Sequence, residues 1–184
     1  ASHGHTKALT MPAATNPMST INIANMSVMF WINMRAGNPA SQYRFFEIQT
    51  NILTTGTKLY MDLGTDGTLK PATALTTTGG SLSIAGGLTA GEWHHIVVTK
   101  SSTTVVKLYK DGVLLGTSSN GVGNNRTENN GTYSVSVMND RDAGSGGIAC
   151  YLDEFAIFEK EVSITEISSV YSTQIKKFMG VSNV

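Results

Sequence analysis

The chain has 184 residues, 40% of them hydrophobic and only 14% charged, against a usual charged share of about 25%. Its 13 basic and 13 acidic side chains cancel, so no net field gathers phosphates or an anionic bilayer, and neither nucleic acid nor membrane is an expected partner. One cysteine, Cys150, excludes an intramolecular disulfide, and no run approaches the roughly 18–20 apolar residues of a membrane span.

Residues 1–17 are small and polar, include Pro12 and Pro17, and show no period. They read as a flexible N-terminal arm ahead of a single domain over 18–172, with 173–184 as a tail. Alternation begins at Met26. Met26, Val28, Phe30, Ile32 and Met34 fall on one strand face, and Ser27, Met29, Trp31, Asn33 and Arg35 on the other, the pattern of a central strand buried on both sides. After the Gly37-Asn38-Pro39 break, Tyr43 to Gln49 reads as a second strand. Lys58, Tyr60 and Asp62 alternate with Leu59, Met61 and Leu63 up to an Asp66-Gly67 hairpin signal. From Pro71 to Thr89 the chain is rich in Thr, Ser and Gly, a long loop with one short strand near Leu82 to Ile84.

The run Trp93-His94-His95-Ile96-Val97-Val98-Thr99 is a strand, and Val105 to Gly116, broken at Asp111-Gly112, is a tight hairpin. An Asn- and Gly-rich surface loop covers Ser118 to Asn130, a strand resumes at Tyr133 to Met138, and a loop from Asn139 to Gly146 leads to a closing strand at Gly147 to Phe158. Ser163-Ile164-Thr165-Glu166 has the form of a capping box, opening a helix with Ile164, Ile167, Ser168 and Tyr171 on one face.

That order of pieces, from Ser27-Val28-Met29-Phe30-Trp31 through the tryptophan-histidine strand, the Asp-Gly hairpin, Leu152-Asp153-Glu154 and the late helix, resembles the laminin-G-like, concanavalin A-like jelly-roll domains. The resemblance covers roughly 18–172 and implies an all-β fold, an antiparallel two-sheet jelly-roll sandwich with one short C-terminal helix. The family includes lectins, adhesive modules, enzyme accessory domains and virion proteins, so function needs its own argument.

Trp31 and Trp93 have the flat apolar faces that stack on sugar rings, but both lie inside family-like strands and are expected to fill the sandwich core. Tyr43, Phe45 and Tyr133 are expected to pack likewise. His94 and His95, adjacent on a strand, point to opposite faces and cannot grip one ion together; one is expected to face the core with a hydrogen bond and the other to face solvent. Asp153 and Glu154 are likewise sent to opposite faces, and no alternating acidic motif of a glycosidase and no nucleophile elbow is present, so no enzymatic activity is expected. Cys150 reads as an inert buried thiol.

Hard oxygen donors cluster best at Asn139-Asp140-Arg141-Asp142. Many laminin-G-like domains place a calcium at the loop rim, so Asn139, Asp140 and Asp142 are the candidate calcium ligands, with plain turn chemistry as the competing reading. Ligand contacts are assigned to the loops, to Asn124, Asn125, Arg126, Asn139, Asp140, Arg141 and Asp142, whose amides match sugar hydroxyls and whose arginines suit a carboxylate. The expected function is a non-catalytic lectin-like recognition module that binds a glycan or protein surface at one edge of the sandwich. The alternative is a structural virion component, a decoration, fibre or tail domain, working through homo-oligomer or virion assembly. Either places the protein in an extracellular setting or on a virion surface.

Overall fold

A computed structural model describes residues 9–11, 25–35, 37, 42–50, 58–74, 79–85, 87–101, 105–118, 133–138 and 149–178. They form two antiparallel sheets packed face to face, with one helix on the outer side of the second sheet. Sheet A runs β1-β10-β3-β4-β5-β6: β1 (Leu9–Met11), β10 (Tyr133–Val137), β3 (Tyr43–Thr50), β4 (Lys58–Leu63), β5 (Leu69–Ala74) and β6 (Gly79–Ser81). Sheet B runs β11-β2-β7-β8-β9: β11 (Cys150–Phe158), β2 (Met26–Met34), β7 (Trp93–Lys100), β8 (Val106–Lys110) and β9 (Val113–Ser118). The helix α1 spans Ile164–Phe178. The all-β sandwich with a C-terminal helix that the sequence implies is therefore the observed architecture. The short strand expected near Leu82 to Ile84 sits slightly earlier, at β6, and Ile84 makes only a single bridge to Leu69.

Alternation decides what each strand buries. From β2, Met26, Val28, Phe30, Ile32 and Met34 enter the core between the sheets, where Phe30 meets Phe45, Phe46 and Phe155. All nine residues of β2 are buried, as a strand with apolar residues on both faces requires. Its other face, with Met29, joins Val97, Tyr109, Val162 and Ile167 in a second cluster beneath the helix. Asp111 and Gly112 both hold positive φ, 53° and 79°, the two-residue hairpin turn that Asp-Gly favours.

Two bulges re-aim side chains that simple alternation would separate. In β3 the register with β4 slips between Arg44 and Phe46, so Phe45 is an extra residue; Phe45 and Phe46 both enter the core, and Arg44 and Glu47, three apart, share the outer face. In β11 the register with β2 slips between Asp153 and Ala156, and Glu154 takes a φ of 51°. This corrects the expectation for Asp153 and Glu154: the inserted residue brings both carboxylates to Lys177 of α1, at 3.3 Å and 2.5 Å.

The capping box forms as expected. Ser163 N donates to Glu166 Oε2 at 2.8 Å, and Glu166 N donates to Ser163 Oγ at 3.2 Å. Hydrogen bonds from Lys160 and from the Ser163 backbone and hydroxyl hold the Glu166 carboxyl down to about 2. The buried stripe, however, runs through Ile167, Val170, Tyr171, Gln174 and Phe178, while Ile164 and Ser168 face outward. The helix is rolled so that its later turns meet Trp31, which a stripe through Ile164 and Ser168 would miss.

Candidate functional site

The outer face of sheet B carries the tryptophans. Trp31, expected in the sandwich core, points the other way and is fully buried under α1, where its Nε1 donates to Gln174 Oε1 at 2.7 Å. Phe178 stacks on it at 4.3 Å and 18°, and Tyr171 at 5.8 Å and 16°. Trp93 corrects the same expectation: it is half-buried and also lies outside the core, because position 93 has the parity of the outer face. Its pairing partner Asn33 in turn pairs with Tyr151, so Tyr151, Asn33 and Trp93 form one row across β11, β2 and β7.

In that row the rings of Trp93 and Tyr151 lean together over Asn33, centroids 6.4 Å apart and planes tilted by 34°. Phe178 closes one side, 4.9 Å from Trp93. Arg35, the residue after β2, lies 5.5 Å from the Tyr151 ring centre on the other side. Exposure rises along this ribbon of rings: Trp31 is covered, Phe178 and Trp93 are half-buried, and Tyr151 is 53% exposed. Asn33 Nδ2 donates to Gly91 O at 3.0 Å, which fixes the amide, and its Oδ1 accepts from no described residue. Gly91 holds a φ of 83° and its N donates to Met34 O at 2.7 Å, so the segment before β7 is pinned beside the row.

The adjacent histidines divide as the strand predicts, but not in the way expected of the second. His94 turns inward at the edge, where its Nδ1 pairs with Asp111 Oδ2 at 2.8 Å and its Nε2 accepts from Thr89 N at 3.2 Å. His95 does not face solvent. It is completely buried, 5.1 Å from Trp31 and 6.1 Å from Tyr171, with neither ring nitrogen hydrogen-bonded, because α1 covers the outer face where it points. Burial pushes its pKa down to about 4, against an opposing pull from Asp111.

A second polar grouping lies on the outer face of sheet A. Arg44 Nε donates to Asp62 Oδ1 at 2.7 Å, its guanidinium also holds Glu47, and it lies 4.1 Å from the centre of Tyr60. Gln42 Nε2 donates to Asp62 Oδ2 at 2.6 Å. Glu47 and Asp62 are buried, and Arg44 is the opposite charge that compensates them there. Sequence reading missed this group because Arg44 and Glu47, at odd spacing, share a face only through the Phe45 bulge.

The loop residues expected to bind ligand, Asn124, Asn125, Arg126, Asn139, Asp140, Arg141 and Asp142, lie outside the described residues, as do the calcium positions among them. Among the described residues no group of three or more His, Cys, Asp or Glu side chains is placed to hold a metal. Nor is any helix there long and apolar enough to cross a membrane.

Comparison with known proteins places the fold. The family model described as the concanavalin A-like lectin/glucanases superfamily matches residues 4–168. No curated protein matches the chain. Among solved structures, the native heptameric SAP-like pentraxin from Limulus polyphemus is 17% identical, with a TM-score of 0.58 over 89% of this chain and 81% of that one. A solved chain of botulinum neurotoxin type C, whose cell entry depends on interaction with two ganglioside molecules, is 17% identical, with a TM-score of 0.65 over 90% of this chain and 39% of that one. A sialidase from Trypanosoma rangeli is 12% identical at a TM-score of 0.61, covering 83% of this chain and 23% of the enzyme. At these identities the structures share the fold, and this chain spans most of the pentraxin chain but a minor part of the solved toxin and sialidase chains. With the family model spanning nearly the whole sandwich, the chain belongs to the concanavalin A-like lectin/glucanase superfamily.

Proposed function

We propose that the protein is a non-catalytic glycan-recognition module, acting outside the cell, and that the row Trp93–Asn33–Tyr151 is its sugar platform. The observation that carries this reading is the pair of partly exposed rings converging over a fixed amide. Two tilted aromatic faces accept the apolar C–H surface of a pyranose, and the Oδ1 of Asn33 accepts from a sugar hydroxyl. Recognition of gangliosides by the toxin of like fold supports the same ligand class. Absence of catalysis is supported by the carboxylates on both outer faces: Asp153 and Glu154 are engaged by Lys177, and Glu47 and Asp62 by Arg44.

A glycan array followed by titration tests the proposal. The unaltered protein is expected to give sugar hits, and Trp93→Ala and Tyr151→Ala are each expected to weaken the best of them by up to about tenfold, since a ring contact is worth roughly 0.5–1.5 kcal/mol beyond the area it buries. Sugar hits that both variants retain at full strength would move recognition to the loops. A chain that binds no sugar but assembles into a stable oligomer would favour the assembly role instead.

A further inference from the structure

The platform is bordered by a cation that no described carboxylate neutralises. Two arginines are described. Arg44 is committed to Asp62 and Glu47, whereas among the described residues no carboxylate pairs with Arg35. Among the described acids, Asp153 and Glu154 are held by Lys177, and Glu92 lies 3.9 Å from His94. Arg35 is also restrained, since its backbone N donates to Ala149 O at 2.9 Å and its guanidinium rests by the Tyr151 ring. A guanidinium set by an aromatic ring keeps its N–H edge for a planar, two-oxygen acceptor, with part of the ordering cost already met.

Resting on the platform reading above, we infer that Arg35 makes the site selective for a sugar bearing a carboxylate: the sugar ring lies across Trp93 and Tyr151, and its carboxylate takes a paired hydrogen bond from Arg35. Arg35 is thus a specificity residue and Trp93 an affinity residue. A sulfate carries the same charge without the planar two-oxygen edge, so it gains less from the fork. A neutral sugar gains nothing.

Titrations of sialyllactose, sulfated lactose and lactose into the unaltered protein and into Arg35→Gln, Arg35→Lys and Trp93→Ala separate these roles. The unaltered protein is expected to bind sialyllactose about tenfold more tightly than lactose, with sulfated lactose between them. Arg35→Gln should remove the preference, so that this variant binds sialyllactose and lactose alike. Arg35→Lys should level sialyllactose with sulfated lactose. A preference for sialyllactose that survives Arg35→Gln would overturn the role of Arg35 while leaving the platform in place. Equal binding of the two anionic sugars by the unaltered protein would overturn carboxylate selectivity. If Trp93→Ala changes none of the three affinities, or the unaltered protein binds none of the sugars, the platform fails and this inference with it.

Discussion

His95 shows how one side chain can be both well packed and costly. Its ring fills the space between Trp31 and Tyr171, yet whichever nitrogen carries the proton has no acceptor, and the other has no donor. A buried polar group left without a partner costs about 1–3 kcal/mol. Of the charged and titratable groups, Asp111 on the β8–β9 turn and Tyr171 on α1 face it; Asp111 Oδ1 accepts from the His95 backbone N at 2.9 Å, and neither group bonds to the ring. The unfolded chain takes up a proton at this residue near pH 6.5, whereas the native state resists until about 4. Between those values the unfolded state binds more protons, so native stability falls as pH drops through that window, by about 1 kcal/mol per unit. His95→Phe keeps an aromatic ring against Trp31 and removes both the orphan group and the titration. It is expected to raise stability at neutral pH and to flatten the decline between pH 6.5 and 4.5, as read from urea melts at a series of pH values. A variant that declines as steeply as the unaltered protein would show that another group drives the loss.

The helix is the element whose consequences sequence reading captured least. Its start was legible because a capping box is local chemistry: Ser163 and Glu166 bond each other with no help from the rest of the fold. Its docking was not, because the roll of a helix is set by what it lands on, here Trp31, more than 130 residues away in the chain. The strands show the same divide. Period-2 alternation gave the faces of β2 correctly, but a bulge inserts a residue with no sequence mark of its own, so the Arg44–Glu47 and Asp153–Glu154 groupings stayed hidden. The tryptophans look like core in the sequence for a related reason: parity says which face a residue takes, and only the helix says which outer positions are covered. Trp31 and Trp93 should therefore separate in experiment. Trp31→Ala removes the fully buried ring on which Phe178, Tyr171 and Gln174 rest, and should cost about 3–5 kcal/mol in a chemical melt. Trp93→Ala, at a half-buried site, should cost clearly less while weakening sugar binding. Equal destabilisation by the two would argue that Trp93 is a folding residue rather than a platform.

At the scale of the whole molecule, stability rests on two apolar layers without a covalent staple: the large core between the sheets and the smaller cluster between sheet B and α1. The free edges of sheet B are both interrupted by bulges, at Glu154 in β11 and beside the Leu108–Tyr109 register slip in the β8–β9 pair, which breaks the flat run another strand would need for pairing. Cys150 sits at the start of β11, packed against the main core with its Sγ 3.9 Å from Met138 Sδ. Burial pushes its thiol up to about 11, so it is protonated at neutral pH and a poor nucleophile. With one cysteine in the chain, no disulfide lowers the entropy of the unfolded state. Reducing agent should therefore leave the melting temperature unchanged, and an alkylating reagent should modify Cys150 slowly in the native protein and rapidly in urea. A melting temperature that falls on reduction would reveal a disulfide between two chains through Cys150, and with it a dimer whose β11 strands meet at the platform end of sheet B.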